Sequence, residues 1–105
     1  MFQMASSVDT HARDVLNSYR CELEAYQIEE NDSLLLHLKN EGVLNETEIK
    51  DIESRAPCCW RMCALLDYLE SRITREIFLL FANAVGTIMN MPAIKQCMLS
   101  DITNM

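Results

Sequence analysis

The sequence predicts an all-α domain, a bundle of six short antiparallel helices, and three observations predict it. Only two glycines and two prolines interrupt 105 residues rich in leucine, alanine, glutamate and methionine, which favour helices. Apolar residues recur at the three- and four-residue spacing of a helix face in segment after segment. Between those segments stand capping residues and helix breakers. With 50% of its residues hydrophobic, a chain of this length can bury one apolar core without staples, as a single domain. The helices are expected over residues 9–99, with 1–8 as a flexible N-terminal tail and 100–105 as a C-terminal tail or the start of a linker.

Asp9 or Thr10 can cap the first helix by accepting from its unpaired N–H groups. Val8, Ala12, Val15, Leu16, Tyr19, Leu23 and Tyr26 then form one continuous apolar stripe. Glu29-Glu30-Asn31-Asp32-Ser33 is a polar break, where Asn31 or Asp32 can cap a second helix from Leu34 to Glu41. Leu34, Leu35 and Leu38 face inward, and Gly42 suits the left-handed residue that ends a helix. Asn45 opens the third helix with Glu48 three residues on, a capping box with Asn in place of Ser or Thr. Ile49 and Ile52 make its short buried face. Ala56-Pro57 closes it, because proline disfavours helical geometry in the residue before it.

Pro57 also suits the first turn of the fourth helix. Cys58, Cys59, Met62, Leu65, Leu66 and Leu69 form its main stripe, and Trp60, Ala64 and Tyr68 fall on another face. Apolar on two sides, this helix is expected at the centre, with Trp60 in the core. Ser71-Arg72-Ile73-Thr74 is a tight connection. The fifth helix follows with a stripe of Ile73, Ile77, Leu80, Phe81, Ala84 and Ile88, and Gly86 is its stop or a tolerated weak position. Pro92 opens a sixth helix carrying Ile94, Met98 and Leu99.

The net charge of −7 argues against a nucleic-acid backbone or an anionic membrane as partner. Its distribution is uneven. Between Glu29 and Ser54, eight carboxylates (Glu29, Glu30, Asp32, Glu41, Glu46, Glu48, Asp51, Glu53) face only Lys39 and Lys50, so six of the seven excess charges lie there. Every arginine lies outside that region. Solvated helix faces and cap chemistry would account for such charges one by one, but their concentration in a quarter of the chain favours an interface.

No catalytic residue, metal site or cofactor is expected, and the chain reads as non-enzymatic. Cys58-Cys59-x-x-x-Cys63 is not a zinc spacing, and five cysteines with two adjacent make no disulfide framework, so core thiols in a reducing, cytoplasmic compartment are the plain reading. The first seven residues lack the basic segment and apolar core of a signal peptide, and no apolar run approaches the roughly 20 residues of a membrane span. There is no glycine-rich phosphate loop, and His11 and His37 read as surface or half-buried residues. Met89, Met91 and Met98 read as gap-fillers in the core.

One family shares the order of these patterns. Leu34-Leu35-x-x-Leu38, then Glu41-Gly42-Val43-Leu44-Asn45-x-x-Glu48-Ile49, then Leu65-Leu66-x-x-Leu69, then Ile77-Phe78-x-x-Phe81 resembles a caspase recruitment domain (CARD) of the death-fold superfamily, from Asp9 to Leu99. The opening Ala12-Arg13-Asp14-Val15-Leu16-x-x-Tyr19-Arg20-x-x-Leu23 is most similar to the N-terminal CARD of apoptosome adaptors. The nucleotide-binding domain of such adaptors has no counterpart in these residues, so no nucleotide chemistry is expected of them. The resemblance implies homotypic binding, in which an acidic second-and-third-helix surface meets a basic first-and-fourth-helix surface on another CARD. The acidic candidates are Asp32, Glu41, Glu46, Glu48 and Asp51; the basic candidates are Arg13, Arg20, Arg55 and Arg61. Arg55 and Arg61 are expected to be the more available cations. The implied partner is the CARD of an initiator caspase, recruited for activation by proximity, with self-association into CARD assemblies as a further expectation. The prodomain of an initiator caspase and a stand-alone CARD regulator are the alternatives.

Overall fold

The computed structural model describes residues 7–29, 32–55 and 59–103. Over those residues the chain is all-helical, with no strand. The helices are α1 (Ser7–Ser18), α2 (Arg20–Glu24), α3 (Ser33–Asn40), α4 (Glu46–Glu53), α5 (Cys59–Ser71), α6 (Arg75–Thr87) and α7 (Pro92–Thr103). The expected cap at Asn31, the close at Ala56-Pro57, the start at Pro57 and the place of Cys58 in the stripe lie outside the described residues, as do 1–6 and 104–105.

Seven helices stand among the described residues where six are expected, because the first stripe is broken. Tyr19 leaves helical geometry, with φ −103° and ψ 9°. Its hydroxyl donates to Asp101 on α7, while the neighbouring Arg20 reaches Asp67 and Glu70 on α5. Two consecutive side chains are thus fixed to different helices, and the break coincides with them. Ser18 Oγ also donates to the Asp14 carbonyl four residues back, a bond that often bends helices. The stripe is continuous all the same: Ala12, Val15, Leu16 and Leu23 are buried. The helix also starts earlier than Asp9 or Thr10, both of which lie inside α1.

The caps of α3 and α4 follow the sequence reading. Asp32 accepts from Leu34 N at 3.0 Å, and Gly42 takes a φ of 80° after α3. The Asn45–Glu48 capping box is complete, with both bonds formed. Thr74 caps α6, accepting from Ile77 N at 3.2 Å.

The centre is α6 and not the helix expected there. It packs on α1, α3 and α7, whereas α5 packs on α2 and α4. Its buried face is Phe78, Phe81, Ala82, Ala84 and Val85, with Ile77, Leu80 and Ile88 only half-buried. The expected stripe missed Phe78, Ala82 and Val85. Burying each such phenylalanine contributes roughly 1.5–3 kcal/mol. Gly86 is no stop: it lies inside α6, where a Cβ would come within 2.4 Å of Lys95 Cδ on α7. The turn is made instead by Asn90, at φ 58°, a conformation that asparagine tolerates better than most residues. Helix α7 begins at Pro92 as expected and runs to Thr103 with Ile102 buried, so residues 100–103 belong to the bundle.

Helix α5 buries Met62, Ala64, Leu65, Leu66 and Leu69. Trp60 does not join them. It is 56% exposed, contrary to the expectation of core packing. No helix among the described residues is long and apolar enough to cross a membrane.

Candidate protein-interaction surface

Helices α3 and α4 are joined by a five-residue turn, residues 41–45. After Gly42, the N–H groups of Val43 and Leu44 both donate to the Leu38 carbonyl, and both side chains are buried. This plug lays α4 beside α3 and leaves a shallow groove of about 250 Å³ between them. Asp32, Leu36, Lys39, Glu46, Ile49 and Lys50 are among its lining residues. Leu36 is 56% exposed there, because it falls off the buried Leu34–Leu35–Leu38 face.

The structure divides the five acidic candidates. Asp32 and Glu46 line the groove together, and Glu41 is exposed just past the end of α3. The carboxylate of Asp32 also accepts from Glu29 N and the Tyr26 hydroxyl, both at 3.1 Å. Burial and then that bond push the Tyr26 phenol up to about 12. Glu48 and Asp51 leave α4 on its other flank, toward Arg72 and Tyr68. Besides completing the cap, Glu48 takes a two-pronged ion pair from Arg72, whose Nη1 lies 2.9 Å from Oε1. The Arg72 bonds hold its carboxyl below the usual range, against the opposing effect of burial. Asp51 accepts from the Tyr68 hydroxyl at 2.7 Å and from Arg55 Nη2 at 3.1 Å, and these two bonds lower its pKa.

Most of the basic candidates are engaged within the molecule. Arg20 pairs with Glu24 at 3.0 Å, Asp67 at 2.8 Å and Glu70 at 2.7 Å, and donates to the Cys63 carbonyl at 3.1 Å. Burial works against its charge, and the bonds to Asp67, Cys63 and Glu24 outweigh burial, so the guanidinium is held more firmly charged than a free one. Arg55 and Arg61, expected to be the more available, are not. Arg55 pairs with Asp51 four residues earlier, a helical spacing that places them side by side. Arg61 donates to the Ile28 carbonyl at 2.9 Å and the Arg55 carbonyl at 3.1 Å, tying α5 to the chain before α3. Arg13 is exposed on α1.

A second groove, of about 390 Å³, opens between α4 and α5. Asp51, Arg55, Trp60, Cys63, Asp67 and Tyr68 are among its lining residues. Leu36 and Trp60 are the two large exposed apolar side chains among the described residues, one in each groove. Leu36 was legible by its absence from the inward set, whereas Trp60, on a separate face of its helix, was expected in the core. Among the described residues, no group of three or more His, Cys, Asp or Glu side chains is placed to hold a metal ion. No family model, no curated protein and no solved structure matches this chain.

Proposed function

We propose that this chain is a non-enzymatic recognition module of the CARD type, which engages a basic helical partner, the CARD of an initiator caspase, through the α3–α4 face. Gathering several proenzymes on such modules raises their local concentration, and activation follows from proximity. Three features support the reading: an all-helical body, apolar spacings similar to that family, and negative charge gathered in the second and third predicted helices.

The observation that carries it is the α3–α4 groove. An exposed leucine in its lining, together with Asp32, Lys39, Glu46 and Lys50, gives the mixture of apolar and charged groups of a protein interface. Rim carboxylates steer a basic partner toward the groove, and that steering weakens with salt. Glu46 and Glu41 are the acidic residues to test, since Glu48 and Asp51 hold the fold. The experiment is a binding titration against a basic initiator-caspase CARD at low and high salt, with Leu36→Asp and Glu46→Arg as variants. Both are expected to lose binding with unchanged circular dichroism, and the wild-type affinity is expected to fall with salt. Equal affinity for Leu36→Asp would reject the face.

A further inference from the structure

The groove on the other flank of α4 carries a separate inference. Helix α5 holds two aromatic residues beside it, and they differ in what covers them. The ring of Tyr68 lies under the Arg72 guanidinium at 5.5 Å, and Arg72 also grips Glu48. The indole of Trp60 is 56% exposed, and among the described residues no cation lies over it. Asp67, seven residues on, shares the Trp60 face of α5 about 10 Å away, two turns of helix. Its side chain is 68% exposed, and Oδ1 meets Arg20. The groove's lining carries Asp51 and Asp67 against Arg55, and Glu24 and Glu70 stand behind Asp67 against Arg20, so the excess charge is negative. Aromatic face, outward carboxylate and negative excess are what an extended arginine meets best: its stem covers apolar surface and its planar fork pairs with a carboxylate.

We propose that the α4–α5 groove receives an arginine side chain from a basic partner protein, its stem against Trp60 and its guanidinium at Asp67. Arg72 on Tyr68 and Glu48 is the same pairing made within the chain. A second copy of this chain is the poorer occupant, because two bodies of net charge −7 repel one another. The inference stands apart from the α3–α4 reading and does not depend on it.

Trp60 is the single tryptophan, so its emission reports on this groove alone. The probes are three blocked tripeptides at matched ionic strength, Gly-Arg-Gly and its lysine and citrulline counterparts. Arginine is expected to give a saturating change in emission, lysine a weaker one, and the neutral citrulline none. Asp67→Asn is expected to weaken the arginine titration by up to about fivefold, the worth of an exposed ion pair. Since Asp67 also holds Arg20, a second variant is read by calorimetry: Trp60→Ala is expected to weaken binding about fourfold, the loss of one covered methylene. Glu46→Arg is expected to leave the titration unchanged. The same unsaturating change with all three peptides, or unaltered binding in both groove variants, overturns the proposal. Trp60 emission that depends on protein concentration without peptide assigns the groove to a second copy and overturns the choice of partner.

Discussion

The two flanks of α4 carry the same kind of charge and use it differently. The helix has four carboxylates in eight residues. On the flank facing α3, Glu46 lines an open groove beside an exposed leucine. On the flank facing α5, Glu48 and Asp51 accept bonds from Arg72, Tyr68 and Arg55. One flank is a surface for something else to meet, and the other is a seam of the molecule. The difference teaches that a density of acidic residues marks a region without saying which of its carboxylates are available. Availability depends on what the neighbouring chain bonds: Tyr68 on α5 and Arg72 in the turn after it hold the seam carboxylates, whereas Lys39 on α3 lines the groove with Glu46 and makes no ion pair with it.

The sharpest way to break this contrast is to cut the seam. Glu48→Ala removes a helix cap and both bonds to Arg72, and is expected to cost about 2–3 kcal/mol in urea unfolding. Partner binding should survive in the fraction that stays folded. A loss of binding at unchanged stability would move Glu48 to the open flank.

Gly42 sets how α3 and α4 lie together, so it tests both flanks at once. Its φ is 80° and a Cβ there would touch nothing within 4 Å, which leaves backbone strain as the only penalty. Gly42→Ala is expected to cost about 1–2 kcal/mol in thermal or urea unfolding, and Gly42→Asn less, because asparagine enters the left-handed region more readily.

A smaller effect is expected in acid. Glu48 has its folded pKa held below the usual carboxylate range by Arg72, so the folded state favours the ionised form. Its contribution is therefore present above that range and is lost as pH falls through the lowered folded value. Asp51 acts in the same direction through Tyr68 and Arg55. Urea titrations between pH 6 and 3, in the wild type and in Glu48→Gln, check this: the variant should show the shallower decline.

The smallest effect on stability belongs to the open flank. Glu41→Arg is expected to stay within about 0.5 kcal/mol of wild type and Glu46→Arg within about 1 kcal/mol, because neither exposed side chain has a bond among the described residues and Glu46 gives up only its favourable place in the first turn of α4. A penalty beyond about 1 kcal/mol for either would erase the contrast between the flanks.

Much of this body was legible in the sequence. Local chemistry placed Asn31 or Asp32, Asn45 with Glu48, and Pro92 at helix starts, since a cap depends on a few neighbouring backbone groups. Gly42 was legible for the same reason. Thr74, read only as part of a connection, was missed. The site was legible only as a region. Arg55 pairs with Asp51 at a spacing visible in the sequence, and its engagement was predictable from that spacing alone. Arg20 meeting Asp67 and Glu70, and Arg72 meeting Glu48, join helices whose relative placement no local pattern contains.

The chain by itself determined that it would be helical, where α3, α4 and α7 begin, and that its negative charge would gather in one quarter of its length. Those properties follow from propensity, capping and composition, which act over a turn or two. Only the packed structure decided that the first stripe breaks at Tyr19, that α6 takes the centre, that Trp60 stays outside, and that α4 divides its carboxylates between a seam and a groove. Each of those outcomes depends on which helix lies alongside. That choice is made by the fit of whole apolar faces, and then decides which charges meet a partner inside the molecule.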